Sequence, residues 1–168
     1  MTPRALTVAR QYPAPTFGLA GGGFALVFIL VGPVRSWIAG RGFTPPSGLL
    51  WLFVVGGVLG GSLLASLLWE RLGGERSSRR GAVVGALVGL LALPVPFYVL
   101  ELALVAAEGV PFEPLPGASP LVQALSALLL LVVTPLFLGA LGLLPTYGGT
   151  VLIGALVGYL LARDRRPP

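Results

Sequence analysis

Residues 81–107 read GAVVGALVGLLALPVPFYVLELALVAA, an apolar run of 27 residues that contains one carboxylate, Glu101. A helix needs about 20 apolar residues to cross a hydrocarbon core of roughly 30 Å at 1.5 Å per residue. The run is therefore long enough to cross with a tilt or a kink. The basic segment RSSRR at 76–80 precedes it and is a typical flank of such a span. We predict a transmembrane helix over 81–107.

The composition extends this prediction to the whole chain. Of its 168 residues, 55% are hydrophobic and 10% are charged, whereas about a quarter of the residues in a soluble domain carry charge. Residues 17–162 are predicted to form one transmembrane domain between a polar N-terminal tail, 1–16, and a basic C-terminal tail, 163–168. Four further apolar runs complete a predicted all-α polytopic membrane bundle of about five transmembrane helices: 17–34, 49–69, 121–144 and 146–162.

The missing residue types exclude most catalytic chemistry. The chain contains no Cys, His or Lys, so it lacks the usual ligands of zinc and haem, the amine of a Schiff base, and the base of a Ser-His or Cys-His nucleophile. We predict a protein that is not an enzyme and that needs no cofactor or metal. Its eleven basic residues are all Arg and lie in tails and loops, which argues against a nucleic-acid partner.

Glycine recurs at helical spacing in the predicted spans. Small residues four apart let helix backbones approach closely in a membrane, where lipid supplies no hydrophobic drive between helices. We expect helix contacts at Gly56, Gly57, Gly60, Gly61, Gly81, Gly85, Gly89, Gly154 and Gly158. These contacts act either within one chain or between chains, and in the second case the partners are other membrane subunits or further copies of the chain in a homo-oligomer. The predicted spans make the lipid bilayer a partner as well. The segment GALVGLL at 85–91 recurs as GALVGYL at 154–160, which leaves a duplicated helical hairpin open.

The run 81–107 also holds a helix break and an acid. Pro94 and Pro96 lie near its middle, where proline removes a backbone donor and kinks the helix. Glu101 follows about seven residues beyond the middle, or about 10 Å toward the far side of the membrane. An acid at this depth is a candidate functional residue because burying its charge costs several kcal/mol. The alternative is a structural role at the interface or against a neighbouring side chain.

Three polar residues share the predicted membrane face of Glu101. Arg35 and Arg41 lie at the connection after the first span, and Gln123 begins the fourth span. Either arginine is a candidate partner that neutralises Glu101. Such a pair contributes little to stability if it is wet, and removing one partner costs much if it is buried.

Charge predicts the side of the membrane for each loop. The loop 70–80 holds four arginines and is predicted to be cytoplasmic, and the loop 108–120, with two acids and no base, is predicted to be non-cytoplasmic. With five spans, six arginines lie inside and five outside; if the last apolar run re-entered without crossing, nine would lie inside and two outside. Hydropathy favours five spans and charge favours four plus a re-entrant C-terminal segment, so the side of the C-terminus stays open.

Two kinds of function are compatible with these features. The first is a non-catalytic multi-pass protein of the cell membrane, either an accessory or structural subunit or a bundle that binds a small ligand, packed through glycine faces. The alternative is a small proton- or cation-linked transporter or channel that uses Glu101. Carbonyl groups freed at the break around Pro94 and Pro96 would then bind the ion.

Overall fold

The computed structural model describes residues 3–109, 117–146 and 148–163, and every regular element within them is a helix. The predicted all-α class is confirmed. The helices are α1 Pro3–Gln11, α2 Pro13–Ile38, α3 Gly48–Leu68, α4 Ser78–Leu91, α5 Val95–Glu108, α6 Pro120–Leu141, α7 Leu143–Thr146 and α8 Gly149–Ala162. Four segments are long and apolar enough to cross a membrane: Pro13–Ile38, Leu50–Leu68, Ser78–Ala107 and Pro120–Leu141.

The N-terminal tail predicted over 1–16 is helical in its described part. α1 occupies most of it, and α2 already begins at Pro13. Pro13 and Pro15 lie in the first turn of α2, where a backbone N–H has no helical partner, so proline starts the helix there and does not break it. The first long helix therefore begins earlier than its apolar run.

α4 and α5 together occupy the span predicted over 81–107, and the helix is interrupted between them. Pro94 directly precedes α5 and Pro96 lies in its first turn. Gly60 of α3 lies beside the interruption, and Gly56, one turn earlier in α3, lies against Pro96. α4 and α5 therefore follow each other along α3 and run antiparallel to it.

α8 packs antiparallel against α4 through glycines of both helices. A Cβ added to Gly85 would collide with the carbonyl oxygen of Gly154. A Cβ added to Gly89, one turn later in α4, would collide with the carbonyl oxygen of Thr150, one turn earlier in α8. Backbones approach this closely only where side chains are absent. α2 and α3 form a second antiparallel pair of this kind.

α6 packs antiparallel on α5, and this decides the course of the C-terminal third of the chain. Gly139, near the end of α6, lies against Pro94 at the start of α5. The hydroxyl of Tyr98, one turn farther along α5, donates to the carbonyl of Val132, farther back in α6, at 3.0 Å. Since α4 and α5 run in one direction, α6 and α8 follow each other in the opposite direction.

The run 146–162, predicted as a fifth span, is too short to cross alone. Its helix α8 has 14 residues, which is about 21 Å against a core of roughly 30 Å. The glycine contacts set α8 antiparallel to α4, and α8 therefore runs in the same direction as α6. A duplicated hairpin, which the repeat at 85–91 and 154–160 left open, would need α6 and α8 to run antiparallel to each other. Of the alternative, four spans plus a re-entrant C-terminal segment, the four spans agree with the structure, whereas the C-terminal helix continues in the direction of α6 and does not turn back.

One end of the bundle, which we call the basic end, holds the core and both ends of the described chain. The guanidinium of Arg10 donates to the carbonyl of Arg163 at 2.6 Å. Six arginine side chains lie there: Arg10, Arg71, Arg76, Arg79, Arg80 and Arg163. Beneath them, buried side chains from α2, α4, α8 and the end of α3 pack together: Phe17, Ala65, Trp69, Val84, Val88, Leu161 and Ala162.

Large apolar side chains cover the outside of the bundle. Leu129 and Phe137 of α6 and Leu152 of α8 are 64%, 61% and 68% exposed. Such a surface is a liability in water, whereas lipid solvates it. The four long apolar helices and this outer surface are consistent with a protein that crosses a membrane more than once.

Candidate functional site

A cavity of about 370 Å³ is lined by residues of the helices α2 to α8 and lies next to the interruption between α4 and α5. Its walls are aromatic, with Phe24 and Phe28 on α2, Phe53 on α3 and Phe97 on α5. The rings of Phe53 and Phe97 meet edge to face, with 5.3 Å between their centroids. This is a favourable aromatic geometry, so it fixes the wall between α3 and α5.

Small residues and two interrupted helices create this space. Ala92 and Gly142 line the cavity and each follows directly after the last residue of a helix, α4 and α6 respectively. Gly57 of α3 and Gly154 of α8 line it as well. The interior of a helical bundle normally closes by interdigitation of side chains. Here the residues at the helix ends carry little or no side chain, and a void remains.

The cavity opens sideways onto the apolar outer surface. Phe28, Leu50, Leu138 and Leu141 line it and are still 43%, 37%, 36% and 42% exposed. α6 packs on α5 and makes no extensive contact with α2, which leaves a gap between α2 and α6. In a bilayer, a molecule would therefore enter the cavity from the hydrocarbon.

Two threonines, Thr146 and Thr150, are the polar side chains among the described residues that line the cavity. The hydroxyl of Thr146 donates to the carbonyl of Gly142 at 2.8 Å. The hydroxyl oxygen of Thr150 is buried and has no hydrogen-bond partner. Within the described chain no charged side chain lines the cavity, so the lining offers no counter-ion to a charged molecule.

Glu101 lies outside the cavity, in the second turn of α5. Its Oε2 atom is buried and has no hydrogen-bond partner. Arg35, Arg41 and Gln123 share its end of the bundle, but the structure brings none of them into a hydrogen bond with Glu101. Both arginines are exposed. The amide of Gln123 donates instead to the carbonyl of Ala118, five residues earlier in the sequence, at 3.2 Å.

The glycines expected at helix contacts lie between helices of one chain. Gly57 and Gly61 of α3 face α2, Gly56 and Gly60 face α5, and Gly81, Gly85 and Gly89 of α4 face Gly154, Gly158 and the start of α8. Gly23 and Gly32 of α2, by contrast, have no atom within 4 Å of an added Cβ. Binding to other membrane subunits or to a second copy of the chain stays a prediction.

The cavity itself was not predicted from the sequence. One signal existed for its wall, since Phe17, Phe24 and Phe28 follow each other at helical intervals on one stripe of α2. No local signal marks Thr150, because its unmade hydrogen bond depends on the turn at Gly148, which separates α7 from α8.

Comparisons with known proteins assign no family. No protein-family model, no curated protein and no solved structure matches the chain. The fold and the site together define an all-α bundle with an apolar cavity that opens on its outer surface. The function is therefore inferred from this geometry.

Proposed function

We propose that this protein is a non-catalytic multi-pass membrane protein that binds a small, neutral, apolar molecule in the cavity. The observation that carries the proposal is the cavity itself, which has phenylalanine walls and a sideways opening. Its volume of about 370 Å³ falls within the roughly 300–1,000 Å³ of small-molecule sites. Lipid is as apolar as the cavity, so affinity arises from close packing against fixed walls.

The two glycine-packed helix pairs support this function by holding the walls in place. α2 and α3 carry four of the five phenylalanines that line the cavity. The contact of Gly21 with Gly57, where a Cβ would lie 2.7 Å from the carbonyl oxygen, joins these helices. The α4–α8 pair supports the part of the cavity wall that contains Thr150. A cavity between two rigid pairs is largely formed before a ligand arrives, which lowers the entropic cost of binding.

The test is calorimetric titration of phenylcyclohexane into the protein in lipid nanodiscs. Leu138→Trp enlarges a side chain at the mouth of the cavity, and we expect it to weaken binding at least tenfold. Leu129→Trp is the matched control, because Leu129 lies on the same helix, is 64% exposed and does not line the cavity. If the wild type does not bind, or if both variants lose binding equally, the proposal is wrong, and an accessory or structural subunit becomes the preferred role.

A second candidate, a proton- or cation-linked transporter, is favoured by the buried Oε2 of Glu101 without a hydrogen-bond partner. Flux of protons and Na⁺ into liposomes would be measured across a pH series for the wild type and Glu101→Gln. Glu70→Gln is the control, since Glu70 is exposed at the basic end. A flux that titrates and is lost only in Glu101→Gln would replace ligand binding as the proposed function, and no flux in the wild type would remove this candidate.

We also propose that the basic end is cytoplasmic. Among the described side chains, six arginines lie at this end, and Arg35 and Arg41 lie at the opposite end. Cytoplasmic loops are enriched in Arg, so this distribution supports one orientation. The predicted cytoplasmic side of the loop 70–80 follows from it, as does the non-cytoplasmic side of the loop 108–120, most of which lies outside the described residues.

The absence of cysteine from the chain makes this orientation simple to test. Single cysteines would be introduced as Arg41→Cys and Arg76→Cys, two exposed positions at opposite ends of the bundle. A membrane-impermeant maleimide applied to intact cells is expected to label position 41 and to label position 76 only after lysis. The reverse pattern, or labelling of both positions from outside, would refute the orientation.

A further inference from the structure

The hydroxyl of Thr150 gives the cavity a specific chemical preference. We infer that its ligand carries one uncharged oxygen, as in a ketone, an ester or an alcohol, and that this oxygen accepts a hydrogen bond from Thr150. The inference rests on the proposed function. Thr150 lines the cavity, and its Oγ1 atom is buried without a hydrogen-bond partner. A buried hydroxyl in this state loses free energy that a ligand oxygen would restore.

The local backbone explains why Thr150 lacks a partner. A helical threonine ordinarily donates to the carbonyl four residues earlier, as Thr146 does to Gly142 at 2.8 Å. For Thr150 that carbonyl would belong to Thr146, but the chain leaves the helix between them and takes a left-handed turn at Gly148, with φ +68°. The interruption between α7 and α8 thus leaves the buried hydroxyl with no backbone acceptor.

The depth of Thr150 separates the inferred ligand from an ordinary phospholipid. Thr150 packs against Gly89, which lies 11 residues after the start of α4 at Ser78. This distance is about 16 Å along the helix, roughly half of a 30 Å hydrocarbon core. A phospholipid keeps its polar group at the interface, whereas this ligand places its oxygen near the bilayer centre and its apolar part toward the opening between α2 and α6. The Thr150 hydroxyl oxygen is buried in the structure, so the inferred hydrogen bond requires a rotation about χ1 that brings the hydroxyl to the cavity wall.

The charge of the ligand follows from the other lining residues. Thr146 is the second polar side chain that lines the cavity within the described chain, and its hydroxyl proton is already donated to a carbonyl. A carboxylate or an ammonium group at this depth would find no counter-ion in the lining. Neutral oxygen compounds are therefore preferred over fatty acids and amines of the same size.

The test compares 4-phenylcyclohexanone with phenylcyclohexane, which has a methylene group in place of the carbonyl group. Their dissociation constants would be measured by calorimetry in nanodiscs for the wild type, Thr150→Val and Thr150→Ser. One hydrogen bond corresponds to about a three- to tenfold change in affinity. We expect Thr150→Val to lower the ratio of ketone affinity to hydrocarbon affinity by this factor, and Thr150→Ser, which keeps the hydroxyl, to retain the wild-type ratio.

Hydrocarbon binding is the internal check that each variant is folded. Thr146→Val is a further control, because the Thr146 proton is already used within the chain, and we expect it to leave the preference for the ketone in place. If Thr150→Val binds both probes as the wild type does, the inferred contact is wrong while the cavity remains a binding site. If neither probe binds the wild type, the proposed function fails as well.

Discussion

Gly85→Ala is expected to destabilise the bundle by forcing α4 and α8 apart. The added Cβ would collide with the carbonyl oxygen of Gly154, and it would lie 2.8 Å from the carbonyl carbon of Gly154 and 3.1 Å from the Cα of Gly158. Ordinary contact of a Cβ begins at 3.4 Å, so ordinary contact with the carbonyl carbon of Gly154 needs a displacement of about 0.6 Å, the difference between 3.4 and 2.8 Å. The clashing atoms belong to the backbone, so no side-chain rotation relieves the clash and the helix must move.

The magnitude follows from two opposing terms. Overpacking costs about 1–3 kcal/mol, and a shift of α8 also loosens the matching contacts at Gly81 and Gly89, so the upper part of this range applies. Alanine recovers up to about 1 kcal/mol through its higher helix propensity. We therefore expect Gly85→Ala to lower the free energy of unfolding by about 2 kcal/mol.

The assay is equilibrium unfolding in mixed micelles, with the SDS mole fraction raised stepwise and helix content followed by circular dichroism. Gly23→Ala is the matched control, since it makes the same substitution in α2 at a position with no atom within 4 Å of the new Cβ. We expect this control to be neutral or stabilised by up to about 1 kcal/mol. If Gly85→Ala unfolds at the same SDS fraction as Gly23→Ala, glycine packing does not hold α8 on α4.

Two further substitutions probe the basic end and the α5–α6 contact in the same assay. Trp69→Ala should lower the free energy of unfolding by about 3–5 kcal/mol, because this side chain is 2% exposed in the core. Trp37→Ala, at a site 64% exposed, should change it by less than about 0.5 kcal/mol; equal losses would contradict the packing at the basic end. Tyr98→Phe removes the hydrogen bond to the carbonyl of Val132 and should lower the free energy of unfolding by about 0.5–1.5 kcal/mol. An unchanged SDS fraction at the unfolding midpoint would show that this bond does not hold α6 on α5.

The elements that the sequence predicts well are those with local causes. The apolar run 81–107 predicts helix because its length and composition demand one, and Pro94 marks its interruption because a missing backbone donor acts on its own turn. Polarity alone does not indicate the helices in the tail 1–16, where α1 lies and α2 begins at Pro13. Proline is compatible with the first turn of a helix, so Pro13 and Pro15 do not exclude one there.

The site was harder to predict, because its parts come from distant points in the chain. Glu101 is an obvious candidate in the sequence, yet the arginines expected to pair with it remain exposed. Thr150 is inconspicuous in the sequence, yet it lines the cavity with an unmade hydrogen bond. Phe24 and Phe97 face the same cavity from 73 residues apart, 97 minus 24. Composition and periodicity do not report such pairings.

The sequence by itself determined that this chain is an apolar, all-helical bundle with a basic loop at 70–80, because hydropathy and charge act residue by residue on transfer into lipid. Only the tertiary structure decided which glycine stripe meets which. Gly85 and Gly154 each begin a GALVG segment, and their contact sets α8 antiparallel along α4 toward the basic end. This pairing depends on the fit of two backbones in space, as do the cavity and the unpartnered hydroxyl of Thr150.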